Sequence, residues 1–140
     1  APAVATTVEP PEFEQLVRGS DYVVRGRVVA VRHELRAREG RELPFTLVEL
    51  EVSEVVAGTP PARVVLSLLG GPMADGELVV EGVPRFTVGD EDILFVRDNG
   101  VNFHPLHAVP YGRYPVLVDK KLGREYVARA NRGGIERVLL

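Results

Sequence analysis

Fourteen glycines and eleven prolines cut this chain of 140 residues into short valine-rich runs, and that punctuation rules out most folds at once. Glycine disfavours helix through backbone entropy, and proline through its missing N–H and its ring. Runs of four to eight apolar or alternating residues between such breakers are strand signals. Many of them in quick succession predict an all-β domain. At this length one domain buries roughly two-thirds of the surface that its unfolded chain exposes, so a single core suffices.

One helix is expected, over Pro10 to Gly19. Proline and acids fill its first turn, Phe13, Leu16 and Val17 share a face, Arg18 lies at the negative end and Gly19 can stop it. Tyr22 to Arg32 reads as a long strand with Tyr22, Val24, Val28 and Ala30 on one face, and Gly26 within it predicts a bend or bulge. His33 to Pro44 has no apolar period and reads as a solvated Arg/Glu hairpin loop. Alternation returns from Phe45 to Val56, with Val48, Leu50 and Val52 opposite Glu49, Glu51 and Ser53. Val64 to Leu69, Leu78 to Val80 and Ile93 to Val96 supply further strands. Their turns fall at Gly70-Gly71-Pro72, Gly82-Val83-Pro84, Gly89-Asp90-Glu91 and Asp98-Asn99-Gly100. Tyr114 to Asp119 and Glu125 to Arg129 complete a terminal hairpin. The pattern predicts residues 1–8 as a flexible lead-in, 9–130 as one barrel domain and 131–140 as a tail or last edge strand. The expected fold is a small Greek-key OB-like barrel, with an immunoglobulin-like β-sandwich as the alternative.

The pattern of Leu16-Val17, Ser20-Asp21, Val23-Val24, Gly26, Val28, Val55-Val56-Ala57-Gly58, Gly70-Gly71, Gly82-Val83-Pro84-Arg85-Phe86, Val88-Gly89-Asp90-Glu91, Leu94-Phe95-Val96 and Tyr111-Gly112-Arg113-Tyr114-Pro115-Val116 resembles a poorly characterised family of exported bacterial proteins. These are similar in outline to the OB-like barrel of netrin-type and metalloprotease-inhibitor domains. The match runs from about Phe13 to Val118 and consists of turns and core positions. It implies the barrel and export to the periplasm or medium; the partner expected for the chain is a protein, an exported protease or a second copy. The chain departs from such inhibitors in having no N-terminal Cys to chelate a protease metal. Its start at Ala1-Pro2-Ala3 without Met is the pattern of a chain after signal-peptide removal.

The formal charge of -3 and the pI near 5.7 argue against an overall electrostatic footprint for nucleic acid or anionic membrane, and leave room for a local patch. No stretch approaches the length of a membrane span. Zero Cys excludes disulfides, thiolate metal sites and Cys nucleophiles. His104-Pro105-Leu106-His107 is the one paired histidine spacing. His104 and His107 are therefore the candidate Zn or Cu ligands, short of a third donor. No cofactor is implied. The acids of Gly89-Asp90-Glu91-Asp92 lack the ligand order of an EF-hand and read as a soluble corner before a strand. Arg32 to Glu42 carries four Arg against three Glu, a net of one positive charge, in the loop where OB barrels take oligonucleotides or saccharides. Arg36, Arg38 and Arg41 are its candidate contact residues, and Ile135, Val138 and Leu139 those of an apolar terminal edge. No serine lies in a nucleophile elbow. The expected function is a non-catalytic binding or structural module that meets a protein partner through a barrel face or a sheet edge. Metal binding at the histidine pair and single-stranded nucleic-acid or polysaccharide binding at residues 32–44 are the alternatives.

Overall fold

The structure, a computed structural model, describes residues 13–100, 105–106, 112–131 and 134–139, the last of these from 128 onward by backbone alone. The helix α1 spans Phe13–Gly19. Nine strands follow: β1 Tyr22–Arg38, β2 Arg41–Gly58, β3 Val64–Leu69, β4 Gly71–Met73, β5 Gly76–Leu78, β6 Glu91–Val96, β7 Arg113–Asp119, β8 Arg124–Asn131 and β9 Gly134–Leu139. Seven of them form one antiparallel sheet in the order β3-β2-β1-β6-β7-β8-β9, and β4 pairs only with β5. Strands β1, β2 and β3 follow one another as hairpins, and β6 returns through the β4–β5 hairpin to lie beside β1. That spatial order is a Greek key. The protein is thus all-β with one short helix. No ladder joins the outer strands β3 and β9 among the described residues.

Each face of the sheet carries a core cluster. One face carries the larger core, built from Tyr22, Val24, Val28, Val48, Leu50, Val64, Leu66, Leu68, Leu94, Val96 and Leu106. On the other face Leu16 brings α1 onto Val23, Phe95, Tyr114 and Val127. Phe13 and Phe95 meet edge to face with centroids 5.8 Å apart, and Phe95 meets Tyr114 at 4.9 Å, close to the preferred geometry of aromatic pairs. Ser20 closes the helix by donating its hydroxyl to the Leu16 carbonyl.

Three one-residue slips bend the β1–β2 ribbon. Val29 is the extra residue on β1, and Ser53 and Val56 are the extra residues on β2. The slip beside Gly26 is the bulge expected there, with the added residue supplied by the partner strand. Its Ser53 hydroxyl donates to the Arg25 carbonyl at 3.3 Å. Val29 changes the phase of β1, so Val31, and not the expected Ala30, packs against the core with Val28.

The expected loop at His33 to Pro44 is corrected most. Here β1 and β2 stay paired to Arg38↔Arg41, and only Glu39 and Gly40 turn. Both have positive φ, 51° and 75°, which is the twist that suits a two-residue hairpin and explains the glycine. The segment hides its strand character because neither face is simply apolar. Leu78 to Val80 is also corrected, since β5 ends at Leu78 and Val79 is exposed.

Candidate functional site

Ladder alternation sorts the charges of the β1–β2 arm. Directly opposed residues share a face, and the pairs Arg32↔Leu47, Glu34↔Phe45, Arg36↔Leu43 and Arg38↔Arg41 place four arginines and one glutamate together. Glu42, opposite Ala37, is on the other face and Glu39 is in the turn. The near-neutral loop of the sequence is therefore a basic face.

This face is preorganised around Phe45, which is 2% exposed. The Arg36 guanidinium lies 5.0 Å and that of Arg38 5.8 Å from its ring centroid, a cation–π arrangement in which the arginine stems also cover the ring. Arg36 is oriented further by Glu34 and by donation to the Ser67 hydroxyl at 3.0 Å. Arg32, Arg38 and Arg41 have no ion pair with another described residue. All three are exposed. Arg36, Arg38 and Arg41, the candidates from the sequence, are thus brought together, and Arg32 joins them.

The opposite face of the arm forms a cleft with the chain from β3 to the loop before β6. A cavity of about 410 Å³ is bounded by Val31, His33, Thr46, Leu68, Gly70–Pro72, Leu78–Val80 and Val83–Phe86. A second, about 230 Å³, runs on between Leu35, Glu42 and the β4–β5 turn, and Glu77 borders both. Thr46 donates its hydroxyl to the Gly70 carbonyl at 2.8 Å. His33 Nδ1 lies 3.2 Å from the same oxygen. Among the described residues no Ser–His pair is assembled, because the hydroxyls of Ser20, Ser53 and Ser67 engage Leu16, Arg25 and Arg36.

The acidic corner Gly89-Asp90-Glu91-Asp92 is also corrected. Asp92 does not keep a strand entrance wet. It is 1% exposed, opposite Gly26, and accepts from Arg113 Nε at 2.8 Å and Nη2 at 3.3 Å. Arg113 also reaches Asp90 at 3.1 Å, donates to the Arg85 carbonyl at 2.7 Å and stacks 4.1 Å from the Phe86 centroid. Burial raises the Asp92 carboxyl above its ordinary value, outweighing the Arg113 contacts that lower it. Glu91, one residue along and so on the other face, pairs with Arg25, as does Glu125. These acids brace β1, β6, β7 and β8. Among the described residues no group of three His, Cys, Asp or Glu is placed to hold a metal ion.

Asn99 has a role that no sequence pattern announces. Its amide accepts from Ser67 N–H at 3.0 Å and donates to the Val65 carbonyl at 2.7 Å, which are outward groups on the far side of β3 from β2. A single side chain thereby takes the place of a closing strand. The Tyr22 hydroxyl also bonds to Asn99, while burial raises its pKa. His104 and His107 lie outside the described residues. Ile135, Val138 and Leu139 lie on β9, opposite Ala130, Val127 and Tyr126 of β8, and β9 is the last strand of the sheet, away from the arm in strand order. No helix among the described residues is long and apolar enough to cross a membrane. Comparison of the chain with protein-family models, with curated proteins and with solved structures found no match in any of the three.

Proposed function

We propose that this chain is a non-catalytic binding module that captures an acidic segment of a partner protein on the arginine face of its β1–β2 arm. The observation that supports this reading is the sorting of charge. Arg32, Arg36, Arg38 and Arg41 share a face with Glu34, the next acid on that face, Glu49, is paired with Arg63, and two of the guanidiniums are held over Phe45 before any partner arrives. Fixing side chains in advance removes part of the entropy cost of binding, and guanidinium forks match carboxylates two bonds at a time. A protein partner fits better than single-stranded nucleic acid. Strand binders stack bases on open aromatic rings, and the aromatic ring of this face is buried beneath its own arginines. Export follows the resemblance and belongs to the same proposal.

The test is titration with fluorescent poly-glutamate, followed by anisotropy. Binding should weaken steeply with salt, and Arg32→Glu with Arg38→Glu should abolish it while the circular dichroism spectrum stays unchanged. Equal binding by that variant would remove the basic face from the function. Tighter binding of oligothymidylate than of poly-glutamate would assign it to nucleic acid instead.

A further inference from the structure

The arm offers a backbone edge as well as a charged face. Among the described residues the β1–β6 ladder stops at Arg27↔Glu91, and two bonds between Val28 and the Gly89–Asp90 corner finish it. From Arg32 to Arg38 no described strand lies on the side of β1 away from β2. The register shows which groups that edge presents. In a two-residue hairpin the flanking pair, here Arg38↔Arg41, is hydrogen-bonded, so alternate pairs back from it are not. The N–H and C=O groups of His33, Leu35 and Ala37 therefore point outward. Pro44, opposite Leu35, fits the same phase: its missing N–H falls on the outer side of β2, where its carbonyl accepts from Gly70 N–H at 2.9 Å.

Resting on the binding reading above, we infer that this edge takes the partner segment as an added β-strand, and that the segment alternates acidic with apolar residues. A strand laid beside β1 sends successive side chains to opposite faces. One set meets Arg32, Arg36 and Arg38. The other meets His33, Leu35, which is 49% exposed, and the cleft that the arm shares with the β4–β5 hairpin. A second copy of this chain is disfavoured as the occupant. Antiparallel self-pairing centred on Glu34 opposes Arg32 to Arg36 and Glu34 to itself, and centred on Leu35 it opposes Arg32 to Arg38, where its Glu34–Arg36 pairs only replace the one each chain already makes; like charges directly opposed destabilise a ladder. The occupant is thus a segment with carboxylates where β1 has guanidiniums.

A synthetic peptide, Asp-Val-Ser-Leu-Asp-Val-Asp with a fluorescent label, is the probe. The whole chain is titrated with it, with an isomer of the same composition in which alternation is scrambled, and with two N-methylated forms, each blocking one alternate set of peptide N–H groups. The regular peptide should bind at least about tenfold more tightly than the isomer. One N-methylated form should lose about tenfold or more, and the other little, as expected if one alternate set faces β1 at about 1 kcal/mol per bond. Ala37→Pro, which removes an outward N–H, should weaken binding, and Leu35→Ala should weaken it with the Ala37 edge intact. Salt-sensitive binding that tolerates both methylations and the scrambling overturns strand addition and leaves the basic face standing. No binding of the peptide or of poly-glutamate at low salt overturns both.

Discussion

Replacing Arg113 with methionine is expected to destabilise the fold by about 3–5 kcal/mol at neutral pH, the usual cost of leaving one partner of a buried ion pair alone. Asp92 is 1% exposed and both of its oxygens receive Arg113 nitrogens, so no water shell is at hand to replace them. Methionine keeps much of the volume against Phe86 and isolates the charge as the cause. Urea unfolding followed by circular dichroism measures it, as the chain has no Trp. A second observable follows from the chemistry. An unpaired buried carboxylate escapes its cost by taking a proton, at about 1.4 kcal/mol per unit of pKa shift, so the deficit of Arg113→Met should shrink as pH falls from 7 towards 4. Adding Asp92→Asn should recover at least about 2 kcal/mol at pH 7, because a neutral amide avoids most of the burial penalty of an ion. A loss below 1 kcal/mol, or a deficit equal at pH 4.5 and pH 7, would refute the claim that Asp92 is held ionised by Arg113.

Three further outcomes follow. In the native chain the Asp92 carboxyl titrates above its unfolded value of about 3.8, so its protonation favours the fold. That contribution is complete below the unfolded value and is lost as pH rises through the folded one, so Asp92→Asn should flatten the fall in stability just above pH 4 in urea titrations. Asn99→Ala should cost about 1–3 kcal/mol, since Ser67 N–H and the Val65 carbonyl lose their partner, and the Ser67 amide should exchange hydrogen faster by NMR. Gly58→Ala should lower the thermal midpoint by several degrees, because a Cβ there would lie 2.5 Å from the Asp21 carbonyl oxygen at a φ of +74°; an unchanged midpoint would mean that the β1–β2 entry is looser than its ladder indicates.

What was legible in the sequence had a local cause. The helix of Phe13 to Gly19 and the strands around Val64 to Leu69 and Ile93 to Val96 follow from their own period, breakers and caps. The arm was hidden because its strand signal is carried by charge. Arg32, Glu34, Arg36 and Arg38 alternate with His33, Leu35 and Ala37, and a net-charge count adds together residues that the pleat separates. Arg36, Arg38 and Arg41 were legible as a cluster, but their common face was not. Ala30 was misplaced because a one-residue bulge at Val29 resets the phase, and nothing in a valine pair marks which member is extra. Asp92 and Asn99 depend on partners distant along the chain, Arg113 in one case and the edge of β3 in the other. Such contacts arise only when the Greek key brings β6 back beside β1.

The two-residue turn at Glu39 and Gly40 also has a consequence for the order in which this molecule assembles. It joins the two longest strands with almost no loop to close, and hairpins of that kind form in about 1–10 μs. The pairing of β1 with β6, by contrast, joins Tyr22 to Val96 across every intervening strand, and such non-local contacts set the slow step of β proteins. The arm is therefore expected to belong to the folding nucleus, although much of it lies outside the main core in the finished protein. Substitutions at its tip should act on the rate of folding and those at the Asn99 seam on the rate of unfolding, so the arm and the outer side of β3 are separable in time.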